Sequence, residues 1–139
     1  MTETTTKEKI LIVDDDKFLI DMYSMKFSEE GFDVETCFNA KEVLEKIEAG
    51  LSPDICLIDI IMPGMDGFQL IEKLKTEGKC DNASVIILSN LGQKEDIDRG
   101  LSVGIDGYIV KASATPSEVV AKVREVIKNK DNKKQDDQS

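Results

Sequence analysis

The sequence predicts an α/β fold built on a doubly wound parallel sheet. Along the 139 residues, five short apolar runs alternate with five segments of helical periodicity, which is the pattern of a parallel sheet with helices on both faces. The runs lack the alternation of apolar and polar residues that a half-exposed strand has, so we expect strands buried on both faces. Right-handed crossovers leave few topologies, and we expect five strands in the order 2-1-3-4-5.

Each predicted strand is a short apolar run that ends at a polar residue or a turn signal. The clearest is the run at 9–13, Lys-Ile-Leu-Ile-Val, which is rich in β-branched residues and stops at three consecutive aspartates. The predicted strands span residues 9–13, 32–37, 55–58, 83–88 and 105–110.

Start and stop signals bound the predicted helices. Asn39 and Glu42 have the spacing of a capping box at the start of the second helix. Thr115, Pro116 and Glu118 supply an N-cap, a favoured first residue and a capping partner for the last helix. Glycines stand where four of the helices are expected to end, namely Gly31, Gly50, Gly78 and Gly104.

Apolar residues at helical spacing give the predicted helices a face for the sheet. In the first helix, which we expect to run to about residue 30, Phe18, Met22 and Met25 fall on one stripe. The segment 93–103 is the weakest helix, because it has few apolar contacts and a glycine inside it.

The chain divides into one domain with two polar ends. Residues 1–8 lack the apolar core of a signal peptide, and we expect a disordered N-terminal tail. Residues 9–129 hold every predicted strand and helix, and this length suits one domain with its own core. Residues 130–139 carry no apolar side chain and cannot dock as a helix face, so we expect a polar tail or linker.

Composition argues against several classes of function. The formal net charge of −10 disfavours direct binding to nucleic acid or to an anionic membrane surface. The sequence has no histidine, which removes histidine metal sites and Ser-His-Asp triads. Its three cysteines are widely separated, and we expect reduced thiols in a cytoplasmic protein rather than a disulfide framework.

Four predicted strands end on residues that can bind a phosphate or a cation: Asp14 with Asp15, then Asp59, Ser89 and Lys111. The carboxyl ends of parallel strands lie on one edge, and ligands bind where the strand order reverses, so we expect these side chains to meet. Neighbouring carboxylates need raised pKa values or a hard cation, and a site without histidine suits Mg²⁺. A nucleophilic carboxylate beside a lysine and a hydroxyl favours phosphoryl transfer onto Asp59.

The motifs at these strand ends resemble the signature of the response-regulator receiver domain of two-component signalling. They are Val13-Asp14-Asp15, the stretch Asp-Ile-Ile-Met-Pro-Gly-Met-Asp-Gly at 59–67, Leu88-Ser89 and Tyr108-Ile109-Val110-Lys111. The resemblance covers roughly residues 9–129 and implies the flavodoxin-like (βα)5 receiver fold. It also implies a signalling domain rather than an enzyme, whose only reactions are its own phosphotransfer and slow autodephosphorylation.

The resemblance implies a role for each matching acid. Asp59 would be the phosphoacceptor, taking its phosphoryl group from a phosphohistidine. Asp15 and Asp59 would bind Mg²⁺ by their side chains, and the backbone carbonyl of Ile61 would be a third ligand. Asp14 would act mainly through metal-bound water, and Lys111 would pair first with Asp59 and later with the phosphoryl group.

The resemblance also implies a switch and a set of partners. Ser89 would hydrogen-bond a phosphoryl oxygen, and Tyr108 matches an aromatic residue that moves inward when Ser89 moves. This coupling would change a surface formed by the fourth helix, fifth strand and fifth helix. The implied partners are a sensor histidine kinase or histidine phosphotransfer protein and a downstream protein target, with a homodimer through the same face as a further option.

Four positions depart from the family's pattern. Ala112 follows Lys111 where the family usually has a proline after a cis bond; because a non-proline cis bond costs about 2.5–4 kcal/mol, we expect a trans bond, or else a strained cis one. Asn90 stands where the family prefers alanine or glycine, and it would either crowd the phosphoryl pocket or donate a hydrogen bond to it. Ile61 and Leu91 occupy two positions that, in the family, flank the path of the hydrolytic water. Because apolar side chains position water poorly, we expect a long-lived aspartyl phosphate.

Two other functions fit parts of the sequence. Asp14-Asp15-Asp16 after an apolar strand resembles the start of a haloacid-dehalogenase-type phosphatase, with Asp14 as nucleophile and Asp16 as acid/base. Against this, the chain lacks room for the usual cap, and Asp59 and Lys111 would lie at the wrong strand ends. The other alternative is a pseudo-receiver that takes no phosphate and binds its partners constitutively.

Overall fold

The structure, a computed structural model, describes residues 7–138, with side chains described through residue 131. Most of the expected N-terminal tail therefore lies outside the described residues. The strands are β1 (Lys9–Val13), β2 (Asp33–Cys37), β3 (Ile55–Ile58), β4 (Ser84–Ser89) and β5 (Gly107–Val110). The helices are α1 (Lys17–Glu29), α2 (Ala40–Glu48), α3 (Gly67–Thr76), α4 (Lys94–Ser102) and α5 (Pro116–Gln138), with a 3₁₀ turn at Lys111–Ser113.

The strands form one parallel sheet in the order β2-β1-β3-β4-β5, which confirms the predicted fold class and topology. Val13 pairs with Ile58, and Ile58 pairs with Ile87, so β1, β3 and β4 end nearly level with one another. The strand order reverses between β1 and β3. The residues that follow these two strands therefore lie side by side at the carboxyl edge.

Both faces of the sheet are buried, as the uninterrupted apolar runs predicted. Alternate strand side chains point to opposite faces. Ile12 and Leu57 pack with α1 and α5 in one cluster. Val13 and Ile58 pack with α2 and α3 in the other. Three layers of secondary structure thus hold the strand ends in fixed positions.

The buried face of α1 is not the predicted stripe. Phe18 and Met25 are 78% and 65% exposed, whereas Ile20, Tyr23 and Phe27 are buried. The helix carries two apolar stripes of equivalent spacing, and periodicity alone does not tell which of them faces the sheet. The tertiary fold decides this: Ile20, Tyr23 and Phe27 pack in the core cluster of this face, and Met22 of the predicted stripe is partly buried against it.

The last helix starts as predicted and runs further than expected. The Thr115 hydroxyl accepts a hydrogen bond from the Glu118 amide at 3.2 Å, and the Glu118 carboxylate accepts one from the Thr115 amide at 2.8 Å. Beyond residue 129 no glycine or proline stops the helix, and Lys130 Nζ donates to the Ala83 carbonyl at 2.8 Å. The helix thus continues through the expected tail, and the domain boundary at 129 stays a prediction. None of the described helices is both long and apolar enough to cross a membrane.

A close backbone contact at Gly67 ties the loop after β3 to α3. The Gly67 amide donates to the Ile60 carbonyl at 2.8 Å, and a Cβ on Gly67 would lie 2.3 Å from the Asp59 carbonyl oxygen. A capping box between Asp66 and Gln69 fixes the start of α3 beside this contact. A side chain at this position would force the Asp59 carbonyl to shift, so the contact restricts the backbone around Asp59.

We therefore expect Gly67→Ala to lower the free energy of unfolding by about 2–3 kcal/mol, because the added methyl group must displace a backbone carbonyl. Gly92→Ala is the matched control. Its Cβ would meet the Val110 side chain at 3.0 Å, which can shift, and we expect a cost of about 0.5 kcal/mol. Urea unfolding followed by circular dichroism measures both. Equal losses in the two variants would contradict the contact at Gly67.

Candidate functional site

A single cleft at the carboxyl edge of the sheet gathers the charged side chains predicted for the site. Its volume is about 230 Å³. The loops that follow β1, β3, β4 and β5 surround it. The cleft is lined by Asp14, Asp15, Asp16, Leu19, Asp59, Ile61, Ser89, Asn90 and Lys111. Leu91 and Tyr108 are outside this lining, and hydrogen bonds connect Leu91 to Ser89 and to Tyr108.

The three predicted acids of the cleft lie close together. Asp14, Asp15 and Asp59 each offer a carboxylate oxygen, and these atoms lie within 4.8 Å of one another. Asp14 and Asp59 are buried, while Asp15 is exposed. The Asp59 amide donates to the Val13 carbonyl at 2.9 Å, which continues the β1–β3 ladder by one residue. The sheet itself therefore holds the two buried carboxylates side by side.

Lys111 is the cation that faces the buried carboxylates. Its Nζ lies 2.6 Å from Asp14 Oδ2 and 3.3 Å from Asp59 Oδ2, and its side chain is only 10% exposed. Burial opposes the charge of this ammonium, but the hydrogen bond to Asp14 and the charge of Asp59 outweigh it and raise the pKa of Lys111. The lysine is therefore a fixed positive charge at neutral pH.

The backbone after Lys111 follows the expected course. The bond to Ala112 is trans, like every peptide bond of the described part of the chain. The chain then enters the 3₁₀ turn at Lys111–Ser113. Alanine at this position thus leaves Lys111 in contact with both carboxylates without a cis bond.

Asp59 has a raised pKa, and its neighbours act on it in both directions. Burial raises the pKa of the carboxyl most, the positive charge of Lys111 opposes this, and the negative charge of Asp14 adds to it. A hydrogen bond from Ser89 lowers the pKa in turn. Asp59 is therefore a desolvated carboxyl group whose negative charge is opposed by burial and by Asp14 and favoured by Lys111.

Ser89 and Tyr108 meet at the loop after β4. The fully buried Ser89 hydroxyl accepts a hydrogen bond from the Leu91 amide at 3.3 Å, besides its contact with Asp59. The Tyr108 hydroxyl donates to the Leu91 carbonyl. Burial raises the pKa of Tyr108 to about 12, so this donor keeps its proton. One residue, Leu91, thus connects the serine of the cleft to the tyrosine of β5.

Some residues of the cleft were not assigned to it from the sequence. Asp16 caps α1, with its carboxylate accepting from the Leu19 amide at 3.2 Å. The Asp16 amide donates to Asp14 Oδ1 at 3.0 Å and so orients that carboxylate. An aspartate directly before a helix is a recognisable N-cap signal. The position of Asp16 at the start of α1 could therefore have been predicted from the sequence. Leu19 offered no such signal, because its packing depends on the turn between β1 and α1.

The acids of the cleft suit a hard divalent cation. Three carboxylate oxygens converge, and Mg²⁺ prefers oxygen ligands while retaining several waters. One of the acids is exposed at the mouth, which leaves room for those waters. Ile61 lines the same cleft and is 56% exposed. The donor set therefore fits magnesium better than a metal that prefers nitrogen or sulfur ligands.

Comparison with known proteins gives one consistent family. The family model described as "Response regulator receiver domain" matches residues 10–124. The chain is 30% identical over 120 residues to the phosphate regulon transcriptional regulatory protein PhoB of Rhizobium meliloti, covering 86% of this chain and 52% of the relative. It is 34% identical over 117 residues to the regulatory protein VanRc of Enterococcus gallinarum, covering 84% and 48%. The chain thus spans about half the length of these curated relatives.

Solved structures agree with this assignment. A CheY-like response regulator receiver domain protein from Methanospirillum hungatei has a TM-score of 0.81 and 30% identity, over 92% of this chain and 99% of that one. The chemotaxis response regulator CheY4 of Vibrio cholerae has a TM-score of 0.80 and 26% identity, over 87% and 99%. With the family model covering most of its length and solved receiver domains sharing its fold, the chain belongs to the receiver domains of two-component response regulators, which are signalling domains rather than catalytic enzymes.

Proposed function

We propose that this receiver domain accepts a phosphoryl group from a phosphohistidine onto Asp59 in a Mg²⁺-dependent reaction, and that the change switches a protein-interaction surface. One observation carries the proposal. Asp59 is a buried carboxylate at a strand end, 3.3 Å from Lys111 and within 4.8 Å of oxygens of Asp14 and Asp15. A desolvated carboxylate among opposite charges is suited to attack phosphorus, since positioning and charge neutralisation supply most of phosphoryl-transfer catalysis.

Each neighbour of Asp59 has a distinct part in this proposal. Asp59 attacks phosphorus and forms the aspartyl phosphate. Lys111 lies between two carboxylates, so it offsets the charge of incoming phosphoryl oxygens without moving far. Ser89 turns its hydroxyl from the carboxylate of Asp59 to a phosphoryl oxygen. Asp14 keeps Lys111 in place through their 2.6 Å contact.

Magnesium would be held by Asp15 and Asp59 through their side chains and by the backbone carbonyl of Ile61. When bound, Mg²⁺ would neutralise negative charge on the acids and on the phosphoryl group. Asp15 suits this part because it is the exposed acid of the cluster, open to a hydrated ion. Asp14 would contribute to the charge of the site while its carboxylate stays paired with Lys111.

The proposed switch runs from Ser89 through Leu91 to Tyr108. When Ser89 moves toward a new phosphoryl group, it draws the loop whose Leu91 amide it binds. The Leu91 carbonyl then moves with respect to the Tyr108 hydroxyl that donates to it. Tyr108 is only partly buried, so its ring is free to change its exposure. The surface formed by α4, β5 and α5 would change in consequence.

The proposed partners are a sensor histidine kinase or histidine phosphotransfer protein, and a downstream protein target. Some relatives are named as transcriptional or DNA-binding regulators, but this chain matches about half of their length. With its net charge of −10, the chain itself is poorly suited to DNA. We place its action in the cytoplasm, where its thiols stay reduced.

The phosphatase alternative gains no support. The carboxylate of Asp16, which would serve as acid/base, is engaged in capping α1. Asp14, which would be the nucleophile, is held by Lys111 at 2.6 Å and is almost fully buried. The pseudo-receiver alternative has the same cleft, and only chemistry at Asp59 separates it from the proposal.

We expect acetyl phosphate with Mg²⁺ to add one acid-labile phosphoryl group to the protein, detected by intact mass spectrometry. Asp59→Asn should abolish the modification, because the nucleophile is lost. Asp54→Asn is the matched control: Asp54 precedes the same strand at its opposite end, where it accepts a hydrogen bond from the Lys9 amide. EDTA should reduce the extent of labelling at least about tenfold. A wild-type protein that takes no phosphate would support the pseudo-receiver instead.

Asp59 should also lower the stability of the fold when no metal is present. Burial raises the pKa of Asp59 in the folded state, and such a carboxyl destabilises the fold as the pH rises above its unfolded-state pKa, with the full penalty reached above its folded-state pKa. In EDTA at pH 7 we therefore expect Asp59→Asn to be more stable to urea than the wild type. The advantage should shrink as the pH falls and vanish below about 3.9, the ordinary pKa of aspartate, where both states are protonated. Asp15→Asn, at an exposed position, should change stability less, and a destabilised Asp59→Asn at pH 7 would refute the argument.

The apolar residues Ile61 and Leu91 should prolong the life of the aspartyl phosphate by positioning water poorly. Changing both to glutamine should speed dephosphorylation about tenfold, or ~1.4 kcal/mol in the barrier. Loss of the acid-labile phosphate with time, after removal of acetyl phosphate, gives the rate. Leu101→Gln, at an exposed leucine outside the cleft, is the control. A dephosphorylation rate that rises little in the double variant would contradict the proposed role of Ile61 and Leu91.

A further inference from the structure

A second concave surface lies outside the phosphoryl cleft, along α2. It is a groove of about 910 Å³, against about 230 Å³ for the cleft. One wall is a stripe of α2 and the residues at its two ends, and the other is the loop that joins β3 to α3. The side chains of Leu44 and Met65 pack on the core from these two walls and are only partly buried, and Pro63 adds a further apolar side chain to the loop wall. We call this surface the α2 groove.

The charged residues of the α2 groove oppose the dipole of the helix that carries them. Lys41 lies in the first turn of α2, where the dipole favours anions, and Glu45 and Glu48 lie in the last turn, where it favours cations. Among the described residues, Lys41 and Glu45 take part in no ion pair, and Glu48 has one with Lys79 at 3.6 Å while its side chain is 81% exposed. The groove thus has a free positive charge at one end and two weakly compensated negative charges at the other.

Other charges of α2 follow the dipole, and these serve the fold. The Glu42 carboxylate, in the first turn, accepts a hydrogen bond from the Phe38 amide at 2.8 Å. Lys46 Nζ, in the last turn, donates to the Thr36 carbonyl at 2.8 Å. Both side chains satisfy backbone groups in or next to β2. The reversed charges of the α2 groove have no such contact within the described part of the chain, so they are available to a partner.

The shape of the α2 groove favours a helix as its occupant. Its lining includes no strand residue among those that the structure describes, and β3 is paired on both sides, with β1 and β4. An extended segment would therefore find no open sheet edge for its backbone groups, whereas a helix satisfies its own. The lining residues Ala40, Leu44 and Glu48 recur every four residues, which is the ridge that packs against a second helix.

We propose that the α2 groove is a docking site for an amphipathic helix of a partner protein. Charge complementarity defines that helix: an apolar stripe faces Leu44, Pro63 and Met65, acidic side chains lie near Lys41, and lysine or arginine lies near Glu45 and Glu48. The stripe of α2 from residue 40 to residue 49 is about 14 Å long, so about three turns of the partner make contact. This surface is distinct from the one formed by α4, β5 and α5, and docking on it needs no phosphoryl group.

The test uses a synthetic peptide of about 14 residues, or four helical turns. It carries glutamates in the first turn, leucines along one face and arginines in the last turn, and a hydrocarbon staple on its polar face keeps it helical. Titrated into the ¹⁵N-labelled full chain, it should shift the amide signals of α2 and of residues 63–65 in NMR spectra. Glu45→Lys with Glu48→Lys should weaken binding about tenfold, because like charges then meet. A stapled peptide with glutamates in place of its arginines should restore it.

The matched control is Glu29→Lys with Glu125→Lys, which makes the same change of net charge at exposed residues of α1 and α5, the helices that cover the other face of the sheet. Its affinity should stay within about twofold of the wild type. Leu44→Gln should weaken binding through the apolar stripe, and the exposed charge variants carry the test if that variant folds poorly.

Three results would overturn the proposal. One is the absence of shifts at a peptide concentration of about 1 mM, and another is an equal loss of affinity in the control variant. The third is the appearance of the same shifts when the chain is concentrated without peptide, which would make a second copy the occupant. Because no phosphodonor is present, failure of this test leaves the proposal for Asp59 untouched.

Discussion

The contact of Lys111 with two buried carboxylates is the interaction on which the cleft depends. Asp14 and Asp59 follow paired strands and are held side by side by the sheet, so their charges would repel each other at close range. Lys111 reaches both, at 2.6 Å and 3.3 Å, from the end of β5 at the sheet edge. Without this ammonium, two desolvated anions would share one cleft at a large energetic cost. The lysine thus supplies the positive charge that offsets two acids buried side by side.

The parallel sheet makes this arrangement possible. Every crossover returns the chain to the same end of the sheet before the next strand begins. All five parallel strands therefore finish at one edge. Local structure then sets each side chain: Asp16 orients Asp14 through its amide, and Gly67 fixes the backbone at Asp59. The sheet topology thus brings the charged residues of the cleft together, and local contacts then set the orientation of each side chain.

Sequence reasoning recovers the elements whose signals are local. Strand runs, capping residues and terminal glycines predicted the order of elements, and polar residues at strand ends predicted which side chains would meet. The inward face of α1 was not predictable, because Phe18 and Ile20 belong to stripes of equal periodicity and a tertiary contact chooses between them. The continuation of α5 to Gln138 has no local signal, since residues 130–138 carry no apolar side chain whose spacing would predict a helix.

The backbone contact at Gly67 gives the domain a mechanical asymmetry. On the α3 side, the Asp59 carbonyl is braced against a helix start with no room to yield, so that wall of the cleft is stiff. On the β4–β5 side, the neighbours of Asp59 are a serine hydroxyl and a loop hydrogen-bonded to a half-buried tyrosine, and these can rotate. A change of charge at Asp59 therefore deforms the compliant wall and leaves the stiff one in place. The missing side chain of Gly67 thus helps to set the direction of the structural response, as do the side chains of Ser89 and Tyr108.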